Sequence, residues 1–240
     1  MKKIYLIFVL LLGLNAPAFG QFPGTPNFFN VAAAGPVYSC GAFVAAGQYK
    51  TFMCHNLGAT DTSADPHVAI QAIHGNYYQW GYNWAAANAS TQGGAIDGWN
   101  TNPANNDMWV NADGSKTGND PCPAGFRVPS IEQWRYVASG SSTENIKSYT
   151  GSWTSSETNF GAAVHFSIAA NVITLTLPAA GGRRYDNGTL YRRGFVALYW
   201  SSSRDAQTGS SYYVAFSSGY APSVAYGDDN YGYPIRCISE

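Results

Sequence analysis

Charge is scarce in this sequence. Of 240 residues, 11% are Asp, Glu, Lys or Arg, and the formal net charge is −1. A nucleic-acid partner needs a basic face to displace counterions from phosphate, so the composition argues against one. It argues equally against an acidic lipid surface. Long apolar runs are missing beyond the first 14 residues, so no later segment is expected to cross a membrane as a helix. Cysteine is limited to four residues, Cys40, Cys54, Cys122 and Cys237. No two of them stand at zinc-knuckle spacing, and His55, His67, His74 and His165 are scattered, so a structural zinc site is not expected. No tandem repeat of fixed period is present.

What is present begins with an export signal. Lys2 and Lys3 supply the positive start, Ile4–Leu14 a short apolar run, and Ala18-Phe19-Gly20 the small residues that a signal peptidase reads. Cleavage is expected before Gln21. No cysteine directly follows the apolar run, so a lipid anchor is not expected. Residues 1–20 are therefore read as a signal peptide, and the mature protein as secreted or displayed at the cell surface. In that compartment an even number of cysteines reads as two disulfides, with three pairings open.

The last 42 residues differ from the rest. They hold seven of the chain's 17 tyrosines, set among Ser, Asn, Asp and Gly, with Arg204 and Arg236 as their only cations. Recognition surfaces use these residue types: rigid amphipathic rings for contact and small polar groups for adaptable hydrogen bonds. Catalytic sites need clustered titratable groups instead. The competing reading is structural, because tyrosine also favours strands.

Local patterns place several elements. Short apolar runs around Gly41 and Gly47 predict a hairpin within Tyr38–Leu57, with Cys40 and Cys54 on its two arms. Residues 77–110 are rich in Trp, Asn, Gly and Ala, which predicts packed irregular loops anchored by Trp80, Trp84, Trp99 and Trp109. Ser130 with Gln133 three residues on reads as a capping box that opens a helix over Ile131–Ser139, and Gly140 stops it. Residues 141–159 read as loop. Val164–Leu177 ends in a β-rich strand, and further strands are expected over Val196–Ser202, Tyr212–Ser217 and Pro234–Ile238.

Five segments occur in order with sensible gaps: NYYQWG (76–81), NDPCPAGFRVPS (119–130), LPAAGGRRYDNG (177–188), YWSSS (199–203) and GYPIRCI (232–238). Together they resemble the Fibrobacter succinogenes major paralogous domain. The resemblance places that domain at 49–240, after an N-terminal extension or hairpin at 21–48. It implies an α+β, C-type-lectin-like fold related to formylglycine-generating enzymes, with long irregular loops, antiparallel strands and few helices. It also implies a bacterial surface or exported protein. Lectin-like domains of this kind often tie the first helix to the terminal strand, which implies a Cys122–Cys237 bridge and leaves Cys40 with Cys54. A cross-link closing more than a hundred residues contributes on the order of 4–5 kcal/mol in the chain-entropy account.

The C-terminal segment is also similar to the variable region of diversity-generating retroelement proteins. Adenine-directed mutagenesis there randomises codons on the ligand-facing surface, between fixed framework residues. By that likeness Tyr199, Trp200, Ser202, Tyr213 and the Gly232–Ile238 tail are framework. Arg204, Asp205, Ser211, Tyr212, Tyr220 and Ser223 are expected to face a ligand. So are Tyr226, Asp228, Asp229, Asn230 and Tyr231, flanked by loops carrying Trp99 and Arg183–Arg184.

Chemistry is not expected from this chain. Formylglycine generation needs reactive cysteines and a copper ion, whereas paired cysteines in an exported chain are oxidised. Cys54 beside His55 is the nearest approach to a nucleophile–base pair. Asp107, Asn111, Asp113, Asn119 and Asp120 form an amide-rich acidic stretch, and Asn111-Ala-Asp113-Gly114 has the look of a calcium loop. The bidentate Glu at loop position twelve is missing, and the Glu-Pro-Asn and Gln-Pro-Asp sugar triplets are absent. Turn chemistry explains that stretch. No cofactor is expected, a structural calcium ion being the open alternative. The partner expected is a protein or glycan, and the competing role is a structural or adhesive subunit of a surface assembly.

Overall fold

Gly47 lets the chain reverse at φ 67°, and the residues beside it form a hairpin of β1 (Gly41–Ala45) and β2 (Gln48–Thr51). The structure is a computed structural model that describes residues 40–102, 109–139 and 144–240. The signal segment, the lead-in to residue 39, Asp107 and Gly140 lie outside the described residues. A Cys40–Cys54 disulfide closes the base of the hairpin, with the Cα atoms 5.1 Å apart.

A short 3-10 turn over Gln71–Ile73 leads to β3 (Asn76–Gln79), which pairs with β4 (Ala87–Asn88). The described residues between β4 and β5 (Phe126–Arg127) are mostly irregular loop. Trp80 and Trp109 anchor these loops, fully buried with rings 5.3 Å apart. Trp84 does not join them. It is 55% exposed and rests on Tyr82, because the turn after Gly81 carries both rings outward. The acidic stretch is a turn: Asp113 Oδ1 accepts from Ser115 N at 2.9 Å, and Val110 bridges to Lys116. Asp120 is buried and accepts from Cys122 N and Val128 N, both at 2.8 Å.

α1 (Ile131–Ser139) starts as its sequence predicts. Gln133 N donates to Ser130 Oγ at 3.3 Å, and Ser130 N donates to Gln133 Oε1 at 2.9 Å, so two first-turn donors are satisfied reciprocally. Its apolar stripe, Ile131, Trp134, Val137 and Ala138, is buried. Next come β6 (Ile146–Thr150), β7 (Ala163–Ala169) and β8 (Val172–Pro178), an antiparallel meander. β6 falls in the stretch expected to be loop. Only its second and fourth residues, Lys147 and Tyr149, are half-buried, while Ile146, Ser148 and Thr150 on the other face are exposed, so apolar and polar residues do not sort by face.

β9 (Gly182–Arg183) and β10 (Leu190–Tyr191) form a small hairpin. β11 (Ala197–Arg204), β12 (Ser211–Phe216) and β13 (Ser223–Gly227) form a second meander. β14 (Gly232–Tyr233) then inserts between β9 and β3, giving the order β10-β9-β14-β3-β4, and β15 (Ile238–Ser239) pairs with β5. The strand expected over Pro234–Ile238 is therefore two short strands around an irregular link. Pro234 has no N–H to give a ladder. The link's carbonyls go elsewhere: Pro234 O accepts from Trp200 N, Ile235 O from Leu57 N and Cys237 O from Met53 N.

The β11–β12–β13 meander divides the interior. Successive strand residues point to opposite faces. Tyr199, Val214 and Phe216 join α1 and β7–β8 in one core, while Leu198 and Trp200 join Trp80, Trp109 and Tyr233 in another. The Cys122–Cys237 disulfide lies in the second core, with the Cα atoms 5.9 Å apart across 115 residues of chain. The described residues thus form a predominantly antiparallel β fold with one α-helix. No described helix is long and apolar enough to cross a membrane.

Candidate functional site: a tyrosine-lined cavity

The same alternation that splits the core builds a cavity. On β12, Tyr212 goes to the α1 side, where its hydroxyl donates to Asp205 Oδ2 at 2.6 Å and Arg135 lies over its ring. Tyr213 goes to the opposite face, packing on Trp200 and Tyr233. The five-stranded sheet meets that face with Tyr191 from β10 and Tyr233 from β14. This close meeting requires glycine: a Cβ on Gly182 would sit 2.7 Å from the Tyr233 ring and 3.0 Å from that of Tyr191. Hence the Gly-Gly of the LPAAGGRRY segment.

The result is an open concavity of about 690 Å³, within the size range of small-ligand sites. Tyr191, Tyr213, Tyr231 and Tyr233 line it, with Arg184, Arg192, Ser210 and the Tyr226–Asp228 segment at its walls. The rings support one another. Tyr231 stacks on Tyr233 at 5.5 Å and 25°, Tyr185 packs on Tyr231 at 5.1 Å, and Tyr191 donates its hydroxyl to that of Tyr233 at 2.9 Å. Burial pushes the phenols of Tyr191, Tyr213, Tyr231 and Tyr233 upward, so all four stay neutral hydroxyls at physiological pH.

Charge is placed at the rim. Arg184 pairs with Asp186, Nε to Oδ1 at 3.1 Å. Among the described residues Arg192 has no carboxylate, and Asp228 no cation, within ion-pair distance. Arg192 also holds a left-handed backbone, φ 57°, shared among described non-glycine residues only by Asn171. Long side chains seldom adopt that region without an external reason.

The positions expected to face a ligand do not form one surface. Tyr220 is 67% and Tyr226 53% exposed, Ser223 and Asp228 are exposed, and Tyr231 and Asn230 are half-buried. Tyr220 and Ser223 line an adjoining hollow of about 440 Å³ with Phe195 and Ala215. Ser211 and Asp229, by contrast, are buried. They form a buried brace: Ser211 Oγ donates to Asp229 Oδ1 at 2.5 Å, and Arg204 pairs with the other oxygen while lying 4.8 Å over the Trp80 ring. Desolvation raises the Asp229 carboxyl, with Ser211 and Arg204 opposing it. Asp205 is committed to its own turn, held down to about 2 chiefly by the Tyr212 hydroxyl.

Arg183, expected on a flanking loop, is fully buried. Its guanidinium donates to the carbonyls of Gln92 and Thr91, both at 2.7 Å, and lies over Tyr77. Trp99 is half-buried, its Nε1 donating to Tyr185 O at 3.2 Å. The cavity also draws on Tyr191 and Arg192, which the sequence reading did not single out as ligand-facing, and on Tyr213 and Tyr233, which it assigned to framework. Tyr213 was findable, since it alternates with Tyr212 on a strand that the sequence predicts.

The fold and the cavity define a β-rich, disulfide-linked domain with an aromatic concave site. A profile of the Fibrobacter succinogenes major domain matches residues 45–239, and the chain belongs to that family. Neither curated proteins nor solved structures return a match to it.

Proposed function

We propose that this protein is an exported, non-catalytic ligand-binding domain, displayed at or released from the cell surface, with the tyrosine-lined cavity as its recognition site. The observation that carries the reading is a platform of mutually packed neutral phenols open to solvent. Rings already held by neighbours lose little entropy on contact, which is what makes tyrosine effective in recognition. The two disulfides suit an extracellular protein. They also occupy all four cysteines, so no described thiol remains for the chemistry of formylglycine-generating relatives. A C-type-lectin-like arrangement is part of the proposal. Its support is the closure of the first described segment on the last strand, through the Phe52–Ile238 bridge, and the disulfide linking the approach to α1 with that strand.

The test is a ligand screen on glycan and protein arrays, followed by titration of variants. Tyr231→Ala weakens binding, by roughly 2 kcal/mol for a central ring, whereas Tyr226→Ala, whose ring packs on Tyr212 on the opposite face of the meander, leaves both binding and the melting temperature nearly unchanged. Loss of stability with unchanged affinity would show that the rings are core and sink the proposal.

A further inference from the structure

The cavity's unsatisfied groups narrow the ligand's chemistry; the inference rests on the cavity being the binding site. Arg192 offers a guanidinium with no carboxylate partner among the described residues, on a backbone held at φ 57°. Asp228 lines the same cavity and offers a carboxylate without a described cation. The same cavity is lined by ring faces and neutral hydroxyls. A ligand that complements all three carries an anion for Arg192, hydroxyl donors for Asp228 and an apolar face for the rings. An unsubstituted aromatic acid lacks the donors, and a neutral sugar lacks the anion. A guanidinium matches a carboxylate bidentately, a geometry that a point charge does not offer.

We infer that the cavity takes a carboxylated sugar ring, a uronate of an acidic polysaccharide. The ring's C–H face lies on the tyrosines, its carboxylate on Arg192 and its hydroxyls toward Asp228 and Ser210. Arg184, already held by Asp186, adds positive potential at the rim without being needed for the pair.

The experiment compares oligouronates (glucuronate, galacturonate and mannuronate) with their carboxyl-reduced counterparts of identical linkage, by calorimetric titration at low and at physiological salt. At least one acidic oligomer is expected to bind roughly tenfold to a hundredfold tighter than its reduced form, with affinity falling as salt rises. Arg192→Gln erases that difference, Arg192→Lys keeps part of it, and Tyr231→Ala weakens both forms. Equal binding of acidic and reduced forms overturns the uronate inference and leaves the cavity as a binding site. Tighter binding of unblocked dipeptides than of any oligouronate also overturns it, in favour of peptide termini. Binding of no saccharide or peptide, or binding that Tyr231→Ala leaves unchanged, removes the inference and the cavity reading together.

Discussion

Arg192 is where conformation and function pull apart. A left-handed backbone costs an arginine of order 1 kcal/mol that glycine escapes. Arg192→Gly is therefore expected to raise the melting temperature by a few degrees at most, while abolishing any preference for acidic over neutral ligands. A destabilised Arg192→Gly protein, measured by thermal denaturation, would mean that the side chain holds the turn together. Buried arginines behave differently. Arg236 is fully buried and lies against Met53 O, Cys54 O and Asn56 Oδ1, with no carboxylate among those contacts. Desolvation draws its guanidinium down to about 10, still charged at physiological pH. Such a cation clamps carbonyls in place; it is not available to a ligand. Arg183 does the same at Gln92 and Thr91, which is why residue type alone could not separate clamps from contacts.

At the level of elements, the β11–β12 pair is the hinge between the two cores, and Trp200 is its pin. Trp200 is fully buried, its Nε1 donates to Tyr78 O at 2.7 Å, and its ring lies 4.4 Å from that of Tyr233. Trp200→Ala is expected to cost about 3–5 kcal/mol, read as a large drop in the urea midpoint, whereas Tyr226→Ala shifts it little. A mild Trp200→Ala variant would show the cores to be independent. These elements differed in how far the sequence displayed them. The capping box at Ser130 and Gln133 is local chemistry, and so was legible. β11 and β12 carry runs of apolar and aromatic residues that read as strands. β13 was hidden: at the sheet's edge both faces carry half-buried residues, Val224 on one and Ala225 and Gly227 on the other, so SVAYG shows no clear period. The cavity was hidden for a different reason. Tyr191 and Tyr233 meet only because β14 inserts between β9 and β3, a pairing set by tertiary packing that no local pattern carries.

On the scale of the molecule, acid is the stress this design resists least. All four histidines, His55, His67, His74 and His165, are shifted down, each by burial as the largest cause, and His74 reaches about 3. A depressed histidine stays neutral in the fold while its unfolded counterpart takes a proton. Its contribution is thus intact above pH 6.5 and declines as pH falls; for His74 the decline continues to about 3. His74 alone forfeits roughly 2 kcal/mol by pH 5. Asp120 and Asp229, whose carboxyls are raised, work in the opposite sense, stabilising at low pH and losing that contribution as pH rises through their folded values. With four groups against two, the melting temperature is expected to fall steadily from pH 7 to pH 5. A flat profile over that interval would show the histidines to be solvated.

The order in which the chain is made matters for the two cross-links. Cys40 and Cys54 are 14 residues apart, while Cys122 waits 115 residues for Cys237. A chain synthesised from its N-terminus exposes the first two thiols together, with no rival in reach. Once they are joined, Cys122 meets a single candidate when the last strand arrives. Three pairings are open to four thiols released at once, but only one to thiols released in this sequence. The native connectivity is thereby written into the timetable of synthesis, and refolding of the fully reduced protein, which has no timetable, is where scrambled bridges are expected to appear.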